Sequence, residues 1–197
     1  MSRVAGLLAS VLVFAAVLAG CGTAAAPDAP STPAQSAPAD VLPGVQPRPV
    51  NVSVFARNID GPVMVDGLGL DARGGHLEPP VEQPMLASWY NLGPRPGAKG
   101  PAVILGHVNG GGEQGIFANL KSVVEGDRIE VQREDGTVAA FEVYRTSTID
   151  KNEFPTADVY QNTSGAELRL ITCGGTLDRA AHRYLSNVIV WAKLAQQ

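Results

Sequence analysis

The sequence predicts an all-β domain, closed or nearly closed into a barrel, with helix confined to short pieces. Three observations carry that expectation. Short runs of alternating or continuous apolar residues recur from Val50 onward. Between them stand many of the chain's 22 glycines and 15 prolines, while aromatic residues make up only 6% of its 197 residues. Helical spacing is limited to Ile116–Lys121 and Thr156–Gln161. Short strands at regular intervals, broken by turn residues and few helices, are the pattern of a small barrel.

The elements follow in chain order. Ser2 and Arg3 form a short positive start, and Val4–Ala19 is apolar except for Gly6 and Ser10. That run is short for a membrane span and has the make-up of a secretory signal. Leu18-Ala19-Gly20-Cys21 resembles a bacterial lipobox, which implies cleavage after residue 20 and a lipid on Cys21. Residues 21–49 are rich in Ala, Pro, Ser and Thr. Too little apolar surface is present there to fold, so the segment reads as an extended tether.

Residues 50–197 then read as one domain. Val50, Val52 and Val54 alternate with Asn51 and Ser53, which gives one face to a core. Pro101–His107 is a nearly continuous apolar run ending in a polar residue. Arg128–Arg133 and Thr137–Tyr144 flank Glu134-Asp135-Gly136, the clearest hairpin signal in the chain. Glu167–Cys173 alternates again, and Asn187–Trp191 supplies the last strand.

Composition excludes some functions. A formal net charge of −4 without a basic run argues against nucleic acid as partner, because phosphate neutralisation needs clustered Lys and Arg. The two cysteines, Cys21 and Cys173, each sit in a context that claims them separately, so no disulfide is expected. There is no CxxC and no loop gathering acidic residues, so neither zinc nor calcium is expected, nor any cofactor.

The chemistry centres on Cys173, which is expected to end a strand before Gly174-Gly175, and on His107, which is likewise expected to end an apolar strand. A single Cys with a distant His is the generic pattern of a cysteine nucleophile. By itself the pattern is weak, since a lone Cys is more often a small core hydrophobe and a lone His a satisfied surface group.

The surrounding words are more specific. Leu105-Gly106-His107-Val108-Asn109, Ile116-Phe117-Ala118-Asn119-Leu120, Gly126-Asp127-Arg128-Ile129 and Leu170-Ile171-Thr172-Cys173-Gly174-Gly175 resemble, in order, the motifs of the sortase superfamily. Arg183-Tyr184 and Asn187–Val190 resemble the final strand and the arginine before it. The Cys-Gly-Gly form, with Trp89-Tyr90 and Leu92-Gly93-Pro94, resembles class F of actinobacteria. The resemblance implies a closed eight-stranded barrel and a cysteine transpeptidase. Such an enzyme cleaves an LPxTG-like sorting peptide and passes the acyl group to an amine of a peptidoglycan precursor or pilin. It implies His107, Cys173 and an arginine as catalytic residues. Arg183 is preferred over Arg179, which reads as a solvated charge paired with Asp178. It also implies a long loop over Ile149–Gly165 that grips substrate, with Thr172, Phe154 and Pro155 as binding residues. Phe154 and Pro155 fit equally well as pins holding that loop to the barrel. His76 and His182 read as surface residues. The lipid on Cys21 would hold the enzyme on the outer face of the cell membrane.

Two rivals stand beside this reading. An L,D-transpeptidase would place Ser-x-Gly-Cys around its nucleophile, which Ile171-Thr172-Cys173-Gly174 does not fit. A catalytically inactive, lipid-anchored barrel that only binds peptides would be favoured by an arginine that stays away from the cysteine.

Overall fold

The computed structural model describes residues 45–70 and 78–196. The leader, Cys21, the tether to residue 44 and His76 lie outside the described residues. Ten strands lie among the described residues: β1 (Pro49–Val54), β2 (Ile59–Leu68), β3 (Ala87–Tyr90), β4 (Gly100–Leu105), β5 (Asn109–Gly110), β6 (Glu113–Gln114), β7 (Arg128–Arg133), β8 (Val138–Asp150), β9 (Ala166–Asp178) and β10 (Arg183–Leu194). The one α-helix among the described residues, α1, spans Thr156–Tyr160, and short 3-10 turns lie at Phe55–Arg57, Leu120–Ser122 and Lys151–Glu153. Eight strands close into a barrel in the order β1-β2-β3-β4-β9-β10-β8-β7, as expected, and β5 and β6 form a separate ribbon.

Local chemistry accounts for the turns. Asn58 completes the β1–β2 reversal in the left-handed region at φ 52°, a conformation asparagine tolerates. At the β7–β8 hairpin, Asp135 accepts from both the backbone N–H and the hydroxyl of Thr137. Beside it, Gly136 adopts the positive φ of 80° that the sequence signal implied. Two residues of the segment read as tether are tied to the barrel. Gln46 accepts from Arg95 and Arg133, and Arg48 binds Glu134 and Asp66. Packing on the barrel therefore includes residues just before Val50.

The strands send alternate residues to opposite sides. Inward go Val52, Ile104, Ile129, Phe141, Leu168, Leu170 and Val190, all fully buried, and Phe117 and Leu120 join the same cluster. Removing one such aliphatic side chain from water contributes about 2 kcal/mol. Outward go Val103, Ile171, Ile189 and Trp191, which would be exposed on a bare barrel. They are covered by Val159 of α1, with Phe154, Tyr160 and Tyr90 packed around them. The segment from Lys151 to Gly165 thus lies on the outside of β4, β9 and β10. On the far side, Arg57 binds Asp127 in a two-pronged ion pair. That hydrogen bond, helped by the Val124 N–H, holds the Asp127 carboxyl below its ordinary value.

Candidate active site

β4 and β9 run parallel, with Leu105 opposite Ile171. Past that pair, the Gly106 N–H donates to the Ile171 carbonyl at 3.1 Å. The Thr172 hydroxyl, 4% exposed, donates to the Gly106 carbonyl at 2.7 Å. The next residue on each chain is His107 and Cys173. Alternation places both on the outer side, in line with Val103 and Leu105 on one strand and Arg169 and Ile171 on the other. They line one small cavity of about 60 Å³, together with Glu78, Pro79 and Asn187. On the other side of Cys173 opens a larger cavity of about 320 Å³, walled by Phe117, Lys121, Thr148, Tyr184 and Val188. Residues 66 positions apart in the chain have been brought to one rim, as the sequence reading required of a Cys/His pair.

His107 is held at both backbone and ring. Its carbonyl accepts from the Phe117 N–H at 3.0 Å as the chain folds back after the β5–β6 ribbon. Gly115 makes that return possible, because a Cβ there would collide with the His107 carbonyl. On the ring, Nε2 lies 2.7 Å from the Pro79 carbonyl. A carbonyl can only accept, so Nε2 carries a proton. Neutral His107 therefore presents a bare Nδ1, and its charged form donates from both nitrogens.

Cys173 is half-buried and forms no disulfide. The expectation that it ends a strand needs correction: β9 continues to Asp178, and Asn187 of β10 pairs with Cys173. Its exposure has another origin. Directly after it the β9–β10 register shifts, with Gly174 opposite Ser186 but Leu177 opposite Tyr184. Gly175 sits at φ 72° against Ser186, so the two glycines make a bulge rather than an end. The bulge turns the hairpin at the barrel rim and leaves Cys173 at the mouth of both cavities.

A cation reaches the sulfur, and it is one the sequence reading did not single out. Lys151 Nζ lies 3.4 Å from Cys173 Sγ. β10 sits between β8 and β9, with Asn187 opposite Ile149 on one side and Cys173 on the other. Lys151 follows two residues after Ile149, which brings it beside the thiol. Its position could be found only from that three-strand register, since no motif surrounds it.

The arginines lie further off. Arg183 is exposed and begins β10, where the sequence reading had it in the preceding loop. On that strand it alternates onto the same side as Asn187, four residues away, or about 13 Å at strand rise. It lines neither of the two cavities. Arg179 is exposed in the hairpin turn, and the Asp178 carboxylate accepts from the backbone of Ala180 and Ala181 instead of pairing with it. Tyr184 ties the hairpin back to the histidine loop through Asn109 at 3.4 Å.

The residues expected to bind substrate divide by position. Thr172 lines both cavities but spends its hydroxyl on Gly106. Phe154 packs on the outer cluster, 6.4 Å from the Tyr160 ring, and Pro155 stands immediately before α1. Burial pushes the Tyr160 phenol up to about 12, consistent with its place under this cover. For Phe154 this favours the pin over the groove wall. Cys21 lies outside the described residues. Among those described, no three His, Cys, Asp or Glu gather as a metal site, and no helix is long and apolar enough to cross a membrane.

Comparisons with known proteins agree with this architecture. A family model described as the sortase domain matches residues 54–195. No curated protein matches the chain. Among solved structures, Streptococcus agalactiae sortase C1 in complex with MTSET aligns with a TM-score of 0.56 at 18% identity, covering 78% of this chain and 72% of that one. Sortase A from Corynebacterium diphtheriae, a lid mutant, aligns with a TM-score of 0.57 at 19% identity, over 79% and 75%. Clostridium perfringens sortase C with the C-terminal cell wall sorting motif aligns with a TM-score of 0.56 at 13% identity, over 78% and 75%. At such identities the likeness is one of fold.

Proposed function

The chain belongs to the sortase family, and from that premise we propose that it is a cysteine transpeptidase acting on an LPxTG-like sorting peptide, with Cys173 as nucleophile and His107 as acid and base. The observation that carries this reading is the shared cavity of His107 and Cys173 just past the paired stretch of β4 and β9. The Cys173 thiolate attacks the carbonyl of the Thr–Gly bond, forming a C–S bond. Charged His107 gives its proton to the departing glycine amine, leaving a thioester. Neutral His107 then takes a proton from an incoming amine as that amine displaces the sulfur. Pro79 engages Nε2, so Nδ1 is the nitrogen free to exchange the proton. Arg183, on the cysteine's side of β10, would close on the bound peptide and donate to the developing oxyanion. Substrate lies between the two cavities, against the loop that carries Phe154 and Pro155.

Class F is supported by Cys173-Gly174-Gly175, with its bulge, and by Trp89, whose indole donates to the Pro94 carbonyl at 3.1 Å. The acceptor amine is that of a peptidoglycan precursor or a pilin, presented at the outer face of the membrane to which a lipid on Cys21 tethers the enzyme.

The test is incubation with an LPxTG peptide followed by intact mass. A thioacyl adduct on wild type, absent from Cys173→Ala, is expected. Equal cleavage by Cys173→Ala would remove the nucleophile. Binding without an adduct on wild type would favour the peptide-binding alternative, to which the distance of Arg183 from both cavities gives some weight. For the anchor, Cys21→Ser should move the protein from the membrane fraction to the soluble one, and continued membrane association would overturn lipidation.

A further inference from the structure

We propose that Lys151 is a catalytic residue: its ammonium supplies the positive charge that holds Cys173 as thiolate before substrate arrives. This rests on the reading of Cys173 as nucleophile and adds the group that prepares it.

Three observations carry the inference. Lys151 Nζ is 3.4 Å from Sγ, within hydrogen-bond range for sulfur. Lys151 is fixed there by its backbone. Asp150 pairs with Ser186 at the end of β8, and its carboxylate accepts from the Asn152 N–H at 2.8 Å, capping the turn that carries Lys151. Finally, its charge is not consumed elsewhere, because Lys151 makes no ion pair among the described residues. The other groups that share the thiol's surroundings do not replace it. His107 is engaged at Nε2 by Pro79. Glu78 lines the small cavity, and Lys121 and Tyr184 line the large one, and none of the three bonds to the sulfur. Asp150 is turned to the backbone.

A thiolate is both the nucleophile and the form that a neighbouring cation favours. A free thiol near pKa 8.5 is only a few per cent ionised at neutral pH. An ammonium in contact raises that fraction, and a lysine does so as a compact point charge. Lys151 thereby leaves Arg183 to meet the substrate's oxygen, which separates the cation of the resting enzyme from the cation of the transition state.

The experiment is the rate of iodoacetamide alkylation of the full chain, followed on the Cys173-containing peptide by mass spectrometry. It needs no peptide substrate. At pH 7, Lys151→Met should slow alkylation by about tenfold, because less of the reactive thiolate is present. At pH 9.5 the two proteins should react within about twofold, because the thiolate then forms without help. Lys151→Arg should keep most of the rate at pH 7. An unchanged rate for Lys151→Met at pH 7 would overturn the inference, as would an equal loss at both pH values, which marks a structural effect. An alkylation defect in a protein that turns over no sorting peptide would sink the transpeptidase reading and leave the Lys151–Cys173 pair standing. A normal alkylation rate beside normal wild-type turnover would sink Lys151 alone.

Discussion

At one end of the outer face of β9 and β10, Arg169 is 2% exposed and bound to Glu167 at 2.8 Å. Arg145 lies over the Trp191 ring at 3.8 Å, with its other side toward Asp158. At the opposite end of the same face, four residues along β9, Cys173 is half-exposed, and the cation beside it has no carboxylate partner among the described residues. The chain has therefore built two cationic sites on one sheet face and neutralised only one. A buried guanidinium without a carboxylate would cost several kcal/mol, so at the covered end pairing is obligatory. At the rim, water already solvates Lys151, and its charge can be left for the sulfur. Burial decides which charges are structural and which are available for chemistry.

The largest test of this contrast sets one substitution at each end. Arg169→Ala leaves Glu167 without its cation and a void beneath α1, and should cost about 3 kcal/mol, lowering Tm by about 10 °C. Cys173→Ala, proposed to abolish turnover, should move Tm by no more than about 2 °C. Thermal unfolding of both proteins decides the matter, and equal destabilisation would erase the distinction between the ends.

A smaller effect separates the two exposed arginines of the hairpin. Arg183→Ala should lower kcat/KM for the sorting peptide by about a hundredfold, the usual cost of one oxyanion donor. Arg179→Ala should cost less than about threefold, as expected of a solvated turn residue. The reverse order would move the oxyanion role to the turn.

Much of the fold was legible because it depends on neighbours in sequence. The β7–β8 hairpin is written in Glu134-Asp135-Gly136, and the short helix at Thr156–Tyr160 lies where its spacing placed it. The pairing of His107 with Cys173 in one cavity was legible through the motifs around them. The strand end assigned to Cys173 was not correct, because glycines in a bulge and glycines at a strand end look alike in sequence. Only the cross-strand register shows that pairing resumes beyond them. Phe154 could be read as groove or pin because both need an apolar side chain on a loop. Its packing on the outer cluster was decided by α1.

By itself, then, the amino-acid order determined which residues alternate, where the chain turns, and which side chains have the chemistry of a nucleophile and a base. The tertiary structure alone decided that Lys151 meets the sulfur, that Pro79 takes one imidazole nitrogen, and that Arg169 is sealed while Arg183 is open. Those outcomes depend on the register of β8, β10 and β9 and on what covers the barrel, and both are set by contacts between segments far apart in the chain.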